Sequence, residues 1–378
     1  LYAFAKAGYK NFLYLDITAR NDWSSALATP FNADNTSFFY PSVSTSFILS
    51  NVVELPQAIN FAKIRASYAQ VGNDTNPYQT QGTFISQVNV NAQPTFTNQD
   101  FIPNQNLRPE STSSVEVGFD VRFLKQRLNL EVTYYNALTE DQILSLPIGI
   151  ASGFSQQVVN AGSVRNTGVE IVINAIPVST ADFEWSSSVN FARSRAIVEE
   201  LPQEDGRLTL AYSRVYNSQD QTVWHQVEEG GRIGDLYGTG YLRNENGDFV
   251  LTQEGRFIAD PELRKLGNYN ADFTMGFNNS FTYKNWDASF LLDWRQGGII
   301  VSRTLALGAV GGQLAETRNR PTEGIVANGV INTGTAANPT YVPNTTAVSA
   351  ESYYRQLYNR KHDDNNVYAV AYTQLPLS

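Results

Sequence analysis

The side chains that carry most protein chemistry are scarce in this sequence and stand far apart. It has 378 residues with two histidines and no cysteine, which excludes a thiol nucleophile, a Cys-ligated zinc or iron–sulfur centre and a disulfide scaffold. His225 and His362 are isolated, and no Gly-x-Ser-x-Gly elbow marks an activated serine, so a Ser–His–Asp site lacks its parts. Three segments still invite a chemical reading. Asn244-Glu245-Asn246-Gly247-Asp248 is superficially like a calcium loop of the D-x-N-x-D-G type. Its glycine falls at the fourth position instead of the sixth, and Gly255 stands where the twelfth-position glutamate belongs, which favours a type I′ hairpin turn. His362-Asp363-Asp364 offers oxygen and nitrogen ligands for a cation, against a solvated polar loop as the plainer reading. The crowded glycines of Gly230-Gly231-Arg232-Ile233-Gly234-Asp235-Leu236-Tyr237-Gly238 would cradle a phosphate only inside a strand–loop–helix unit, and none is present. No catalytic, cofactor-binding or metal-binding residue is assigned, no cofactor is expected, and the chain is not read as an enzyme. Trp224, Tyr237, Tyr241, Tyr353 and Tyr354 lie in loops, where aromatic faces either stack on sugar rings or pack loop against loop; the second is favoured for each, and ligand-binding residues remain unassigned.

The elements that would have to position any such group are strands. Phe273, Met275, Phe277, Phe281 and Tyr283 share one parity, while Asp272, Thr274, Gly276, Asn278, Ser280 and Thr282 share the other. After the turn Lys284-Asn285, Trp286, Ala288, Phe290, Leu292 and Trp294 oppose Asp287, Ser289, Asp293 and Arg295. Period-2 alternation of this kind gives a strand one apolar and one polar face. The design recurs at Val115–Phe123 with Leu128–Tyr134 across Leu124-Lys125-Gln126, and at Val169–Ala175 with Phe183–Phe191 after a turn at Pro177. Parity places Phe277 and Phe290 on the apolar side, and Asn278 and Asp293 on the polar side.

Between these hairpins, roughly 21–37, 73–110, 195–268 and 303–365 read as irregular segments rich in Asn, Gln, Gly, Thr and Pro. Charged residues make up only 17% of the chain and aromatics 12%, against about 25% charged in ordinary soluble domains. No apolar run reaches the roughly 18 residues of a membrane-spanning helix. Net charge is −9 with no basic run, which disfavours nucleic acid as a partner. Short turns alternating with long loops, and charged residues within nearly every strand, fit an antiparallel transmembrane β-barrel with long extracellular loops. Tyr134, Tyr135, Phe183, Phe281, Tyr283, Trp286 and Trp294 would then form interfacial girdles. A soluble all-β adhesin or binding module, its apolar faces buried in a core, has similar alternation, but no repeat of fixed period supports a solenoid or propeller.

Six motifs in order carry a family resemblance. They are Phe39-Tyr40-Pro41-Ser42 with Lys63-Ile64-Arg65-Ala66-Ser67-Tyr68-Ala69-Gln70-Val71-Gly72-Asn73; Asn104-Gln105-Asn106-Leu107-Arg108-Pro109-Glu110; Asn129–Asn136, ending Tyr134-Tyr135-Asn136; Asn160-Ala161-Gly162-Ser163-Val164-Arg165-Asn166-Thr167-Gly168-Val169-Glu170; Leu266-Gly267-Asn268 leading into Asp272–Asn279; and Gln296-Gly297-Gly298. Together they resemble the SusC/RagA family of TonB-dependent outer-membrane transporters. Asp22-Trp23-Ser24-Ser25 is similar to another family motif, with Asp22 expected to bond turn amides. The resemblance implies a plugged barrel of 22 strands; roughly a dozen alternating segments are counted here, so residues 1–378 read as part of one barrel domain, with the plug and terminal strands lying outside this chain. Val367–Tyr372 reads as the start of one further strand. The resemblance also implies an outer-membrane location in a Bacteroidetes-like Gram-negative cell, import of a bulky glycan or peptide oligomer, a SusD-like lipoprotein lid, contact with TonB through the plug region, and no catalysis. A passive porin would share the strands and lack the plug.

Overall fold

The computed structural model describes residues 1–378 apart from 31–32, 91–92, 204, 215–220, 239, 261, 303, 305–307, 309–310, 360–368 and 372–378. His362-Asp363-Asp364 and half of Val367–Tyr372 lie outside the described residues; Ala369–Ala371 is a short strand paired with Ile299–Val301. Contact density divides the chain into two units, residues 1–206 with 273–294, and residues 207–272 with 295–378.

The first unit is built on one sheet of ten strands, somewhat fewer than the alternation alone indicates. They are β1 (Tyr2–Tyr9), β2 (Leu13–Trp23), β3 (Ser37–Ile48), β4 (Ile59–Asn73), β5 (Glu110–Phe123), β6 (Leu128–Glu140), β7 (Ser163–Ser179), β8 (Phe183–Glu200), β9 (Phe273–Tyr283) and β10 (Trp286–Gln296). Each is hydrogen-bonded to the next in chain order. Most exceed the 9–11 residues that a tilted strand needs to cross a bilayer. Connections at one end are tight. Between β1 and β2, Phe12 N donates to Tyr9 O at 3.1 Å, and Lys10 and Asn11 take φ values of 45° and 56°, the positive pair that a type I′ turn requires. Between β5 and β6, Leu124, Lys125 and Gln126 all adopt positive φ; Asn60 Oδ1 accepts from Lys125 N at 2.5 Å, so the turn is braced by the neighbouring strand. The opposite ends open into the long segments.

Register explains why the alternation matters. Leu13, Phe47, Ile64, Phe119, Val132, Ile171, Phe191 and Met275 are successive cross-strand partners from β2 to β9. One residue along, the matching row is Tyr14, Ser46, Arg65, Gly118, Thr133, Glu170, Ala192 and Thr274. A one-residue slip would exchange the two faces. Large apolar side chains on the first face are exposed: Leu15, Ile17, Val43, Ile64, Phe119, Tyr134 and Phe290 all stand open. An apolar face left bare in the fold is the lipid-facing side of a membrane sheet. Ring contacts knit it toward β10, with Trp185 stacked on Phe281 at 5.9 Å, Phe281 on Phe290 at 6.1 Å, and Phe273 edge-on to Trp294 at 5.3 Å. Phe277 pairs with Val189 on this face and Asn278 with Ser188 on the other, as parity requires. Tyr135 departs from the expected girdle: it pairs with Glu116 and Gly168 on the polar face, because the two tyrosines of Tyr134-Tyr135 must point opposite ways.

The long segments are not irregular throughout. Residues 73–110 contain the hairpin Phe84–Val90 with Gln93–Asn98 and the strand Phe101–Ile102, which runs parallel to Gln156–Asn160. Leu27, Leu107 and Val158 are almost fully buried there, with Phe38, Phe101 and Ile143 packed against them. In the second unit, Arg207–Arg214, Gln221–Glu228, Asp235–Gly238 and Arg264–Asn268 form a four-stranded sheet. Short strands with interrupted alternation hid these elements from period counting.

The face assignment has a direct test. Replacing Phe277 by Arg in the middle of β9 should cost about 2–4 kcal/mol in the membrane, and Asn278→Arg on the polar face far less. Equilibrium unfolding of the intact protein in lipid vesicles measures both; equal costs would overturn the assignment.

Candidate functional site

The polar face of the ten-stranded sheet is the candidate site, because it is the surface a lumen would present. Alternation sends every second side chain of β1–β10 there, and the register sorts charges into neighbours. Lys63 Nζ lies 3.5 Å from Asp120 Oδ2, and Arg122 Nε 3.6 Å from Asp120 Oδ1. Arg65 reaches two strands away, to Glu131 at 2.6 Å and Thr133 Oγ1 at 2.5 Å. Its path runs over Gly118, where an added Cβ would stand 2.5 Å from Arg65 Nε. Gly168 likewise lets Tyr135 lie flat, since a Cβ there would meet the ring at 2.3 Å. These half-exposed pairs contribute at most about 1 kcal/mol each to stability. Their effect is to give the wall a fixed pattern of donors and acceptors.

Near the tight turns this face holds a depression of about 200 Å³ lined by Asn129, Asn174, Ser186, Ser188, Asn278 and Ser280, together with Arg127. Asn129 Oδ1 is buried with no hydrogen-bond partner among the described residues. The space is smaller than the roughly 300–1,000 Å³ of an ordinary small-molecule pocket, and its lining of amides and hydroxyls suits water or a polar segment. Among the described residues no cluster of His, Asp or Glu could hold a metal ion.

The motif residues at the strand tops act as clamps. Asn160 Oδ1 accepts from Arg108 N and its Nδ2 donates to Arg108 O, both at 2.7 Å, which ties the Asn104–Glu110 motif to the Asn160–Glu170 motif. Arg108 pairs with Asp141 at 2.7 Å, and Glu110 accepts from Ile143 N at 2.9 Å and from Asn73 Nδ2 at 3.1 Å. Leu107 fills the core beneath them at 1% exposure. Asp22 does not bond turn amides as expected; its carboxylate accepts from Arg20 Nε at 2.8 Å. Ser24 serves the turn instead, its Oγ accepting from Ala26 N.

In the second unit the glycine-rich segment is structural. Gly230 and Gly234 take positive φ, and the strand they introduce, Asp235–Gly238, is wholly buried. Asp235, 1% exposed, accepts from Lys265 Nζ at 2.6 Å, Asn268 Nδ2 at 2.8 Å and Arg232 N at 3.0 Å. Period counting gave no sign of this hub; the available signal was an acidic residue inside a glycine-flanked apolar run. Asn244–Asp248 is a hairpin bend of another kind than expected: Asn244 N donates to Asp248 O and Gly247 alone takes positive φ, giving a three-residue loop in place of a type I′ turn. Asn244 Oδ1 accepts from Asn246 N and Asp248 N, so its oxygen is spent on the turn. Tyr237 and Tyr241 are buried; Tyr241 packs on Phe257 at 4.9 Å, Phe257 on Tyr353 at 6.1 Å, and Tyr353 on Tyr354 at 5.3 Å. Trp224 is half-buried in the four-stranded sheet beside Tyr237.

His225 in that sheet is half-buried, edge-on to Tyr269 at 5.3 Å, and its Nε2 is buried without a hydrogen-bond partner. Burial lowers its pKa, opposed in part by the charge of Asp235. The folded form therefore binds a proton less readily than the unfolded chain. Its contribution to stability is complete above the unfolded value of about 6.5 and declines as pH falls below it. Hydrogen-exchange free energies for Gln221–Glu228, corrected for intrinsic rates, should drop between pH 7.5 and pH 5, and His225→Gln should flatten the decline. Identical slopes in the two proteins would exclude His225 as the cause.

The family described as TonB dependent receptor-like, beta-barrel matches residues 1–290. The TonB-dependent receptor P3 of Formosa agariphila is 30% identical over 79% of this chain and 31% of its own length. The TonB-dependent receptor SusC of Bacteroides thetaiotaomicron is 30% identical over 50% of this chain and 20% of its own. The chain thus spans about a third or less of these relatives. Among solved structures, the RagAB peptide transporter superposes with a TM-score of 0.69 at 19% identity, covering 82% of this chain and 34% of that one. With the family match running through β1–β9 and into β10, the two-faced register of that sheet and its exposed apolar side, the chain belongs to the TonB-dependent receptor β-barrel family and lies in the outer membrane.

Proposed function

We propose that this chain supplies barrel wall and extracellular loops to an energised importer of a bulky nutrient, a glycan or peptide oligomer, that works with a SusD-like surface lipoprotein and is opened by TonB acting through a plug region. The observation that carries the reading is the polar face: a wall of fixed ion pairs and amides spread across β4–β9, backed in the same strands by an outward face that is uncharged from the tight turns up to Arg193 in β8. A sheet of ten strands is an arc of the 22-stranded barrel of outer-membrane transporters, and lipid leaves no backbone edge unpaired, so further strands complete the wall in the whole protein. In this reading residues 1–378 are one stretch of barrel domain, with long loops that form small folded elements of their own.

The wall pattern suits an internal plug better than an open pore. Arg65, Lys63, Asp120 and Glu131 are aimed at one another, a fixed pattern of donors and acceptors for a polar surface to meet. Uptake of labelled oligosaccharides and oligopeptides by cells carrying the intact transporter should vanish when TonB is deleted or the proton gradient is collapsed. The purified protein in planar bilayers should show no steady conductance. TonB-independent uptake together with an open channel would establish a passive porin instead.

A further inference from the structure

Charge on the outward face is distributed in a way the transport reading does not use. Below the row Ala7, Leu15, Thr45, Ala66, Val117, Tyr134, Val169 and Arg193, the outward side chains of the ten strands include no charged residue. Arg193 is the first outward-facing charge met on climbing β8 from its turn, and Arg195 follows on the same face; both are exposed. Their cross-strand partners are Val169 and Thr167, and beyond these Tyr134 and Asn136. No carboxylate stands in either row. Nearby Glu199 is already engaged bidentately by Arg165. The β8–β9 ladder ends at Ala192 and Thr274, and Arg195 lies beyond its last pair.

Height places these guanidiniums. A strand tilted by about 40° climbs roughly 2.5 Å per residue, so Arg193 stands roughly 25 Å above Phe183, the full height of the apolar band of an outer-membrane barrel. Phe191, Phe273 and Trp294 form a ring-contacted ledge directly beneath it. The tight turns lie at the other end of β8, and in such barrels short turns are periplasmic and long loops extracellular. The two arginines therefore sit at the headgroup level of the outer leaflet, over an apolar and aromatic ledge fit for acyl chains. Arginine forks favour phosphate oxygens through paired, charge-assisted hydrogen bonds. Two of them at i and i+2 of one strand lie about 6.6 Å apart along it. This local cationic patch also runs against the chain's overall charge of −9.

We propose that Arg193 and Arg195 form a binding site for the phosphorylated headgroup of an outer-leaflet glycolipid, with its acyl chains lying along the Phe191–Phe273–Trp294 ledge. The site anchors the barrel at a fixed depth on the side of β8, independently of what the lumen carries. The test uses the intact transporter in mild detergent, titrated with phosphorylated lipid A and followed by native mass spectrometry. Wild-type protein should retain the lipid, and Arg193→Gln with Arg195→Gln should weaken retention about tenfold, the loss expected for one or two charge-assisted hydrogen bonds. Arg193→Lys with Arg195→Lys should fall between. Lys284→Gln, which removes a charge at the turn end of the same sheet, should bind as wild type does. Dephosphorylated lipid A should bind wild type as weakly as phosphorylated lipid binds the double Gln variant. Circular dichroism confirms that each variant is folded, and Arg195→Gln alone, with a smaller loss, serves if the double variant is not. Equal retention in wild type and Gln variants, indifference to the phosphates, or full displacement of the lipid by inorganic phosphate would overturn the proposal.

Discussion

Backbone hydrogen bonding in a medium without water is the constraint on which this structure rests. Each N–H and C=O at membrane depth needs a partner from the chain itself, and a continuous antiparallel sheet provides it strand by strand. Once pairing is obligatory, register becomes the variable that decides everything else, because side chains alternate with a period of two. Eight partners from Leu13 to Met275 stay apolar and the adjacent row from Tyr14 to Thr274 stays largely polar. Small residues help hold that register: Gly118 and Gly168 accept Arg65 and Tyr135 lying across them. A register shift would set each long side chain against a Cβ.

Loops beyond the membrane answer to a different rule. They are in water, so they must earn order from buried cores and local polar clamps. The cluster of Leu27, Leu107 and Val158 does this in the first unit, and Asn160 locks two distant segments through the backbone of Arg108. The second unit combines an aromatic chain from Tyr241 to Tyr354 with the buried carboxylate of Asp235. A buried charge of this kind is tolerated because each of its oxygens is met by a donor.

The strands were legible in the sequence for the reason that membranes make them simple: one solvent on each face writes one parity in the chain. Hairpins such as Phe273–Tyr283 with Trp286–Gln296 follow from alternation and a two-residue turn. Single misreadings came where parity was not carried through, as with Tyr135, or where a short motif was matched without its dihedral requirement, as with Asn246-Gly247. Loop strands escaped because elements of two to eight residues are too short to carry a periodic signal. The motif residues were visible as resemblance, but their work as clamps depends on partners 33 and 52 residues away, which spacing along the chain does not encode.

Legibility of fold and legibility of cargo therefore separate for a physical reason. The outward face and the backbone ladder are fixed by the bilayer, which is common to all such barrels, and their pattern repeats from strand to strand. In an importer of the proposed kind, a transported molecule would meet the inward face and the loops, where each contact is made by a few side chains from different strands. Arg65 touching Glu131 and Thr133 from two strands away is a local solution with no period. The same logic distinguishes Arg193 and Arg195 on the outside: against a face from which the bilayer excludes charge, two arginines at its rim with no carboxylate in their rows stand out. On the inward face, where charges of both signs are ordinary, no single residue can be singled out in that way. In such an importer, specificity for cargo would then reside in the joint arrangement of wall, loops and whatever fills the lumen.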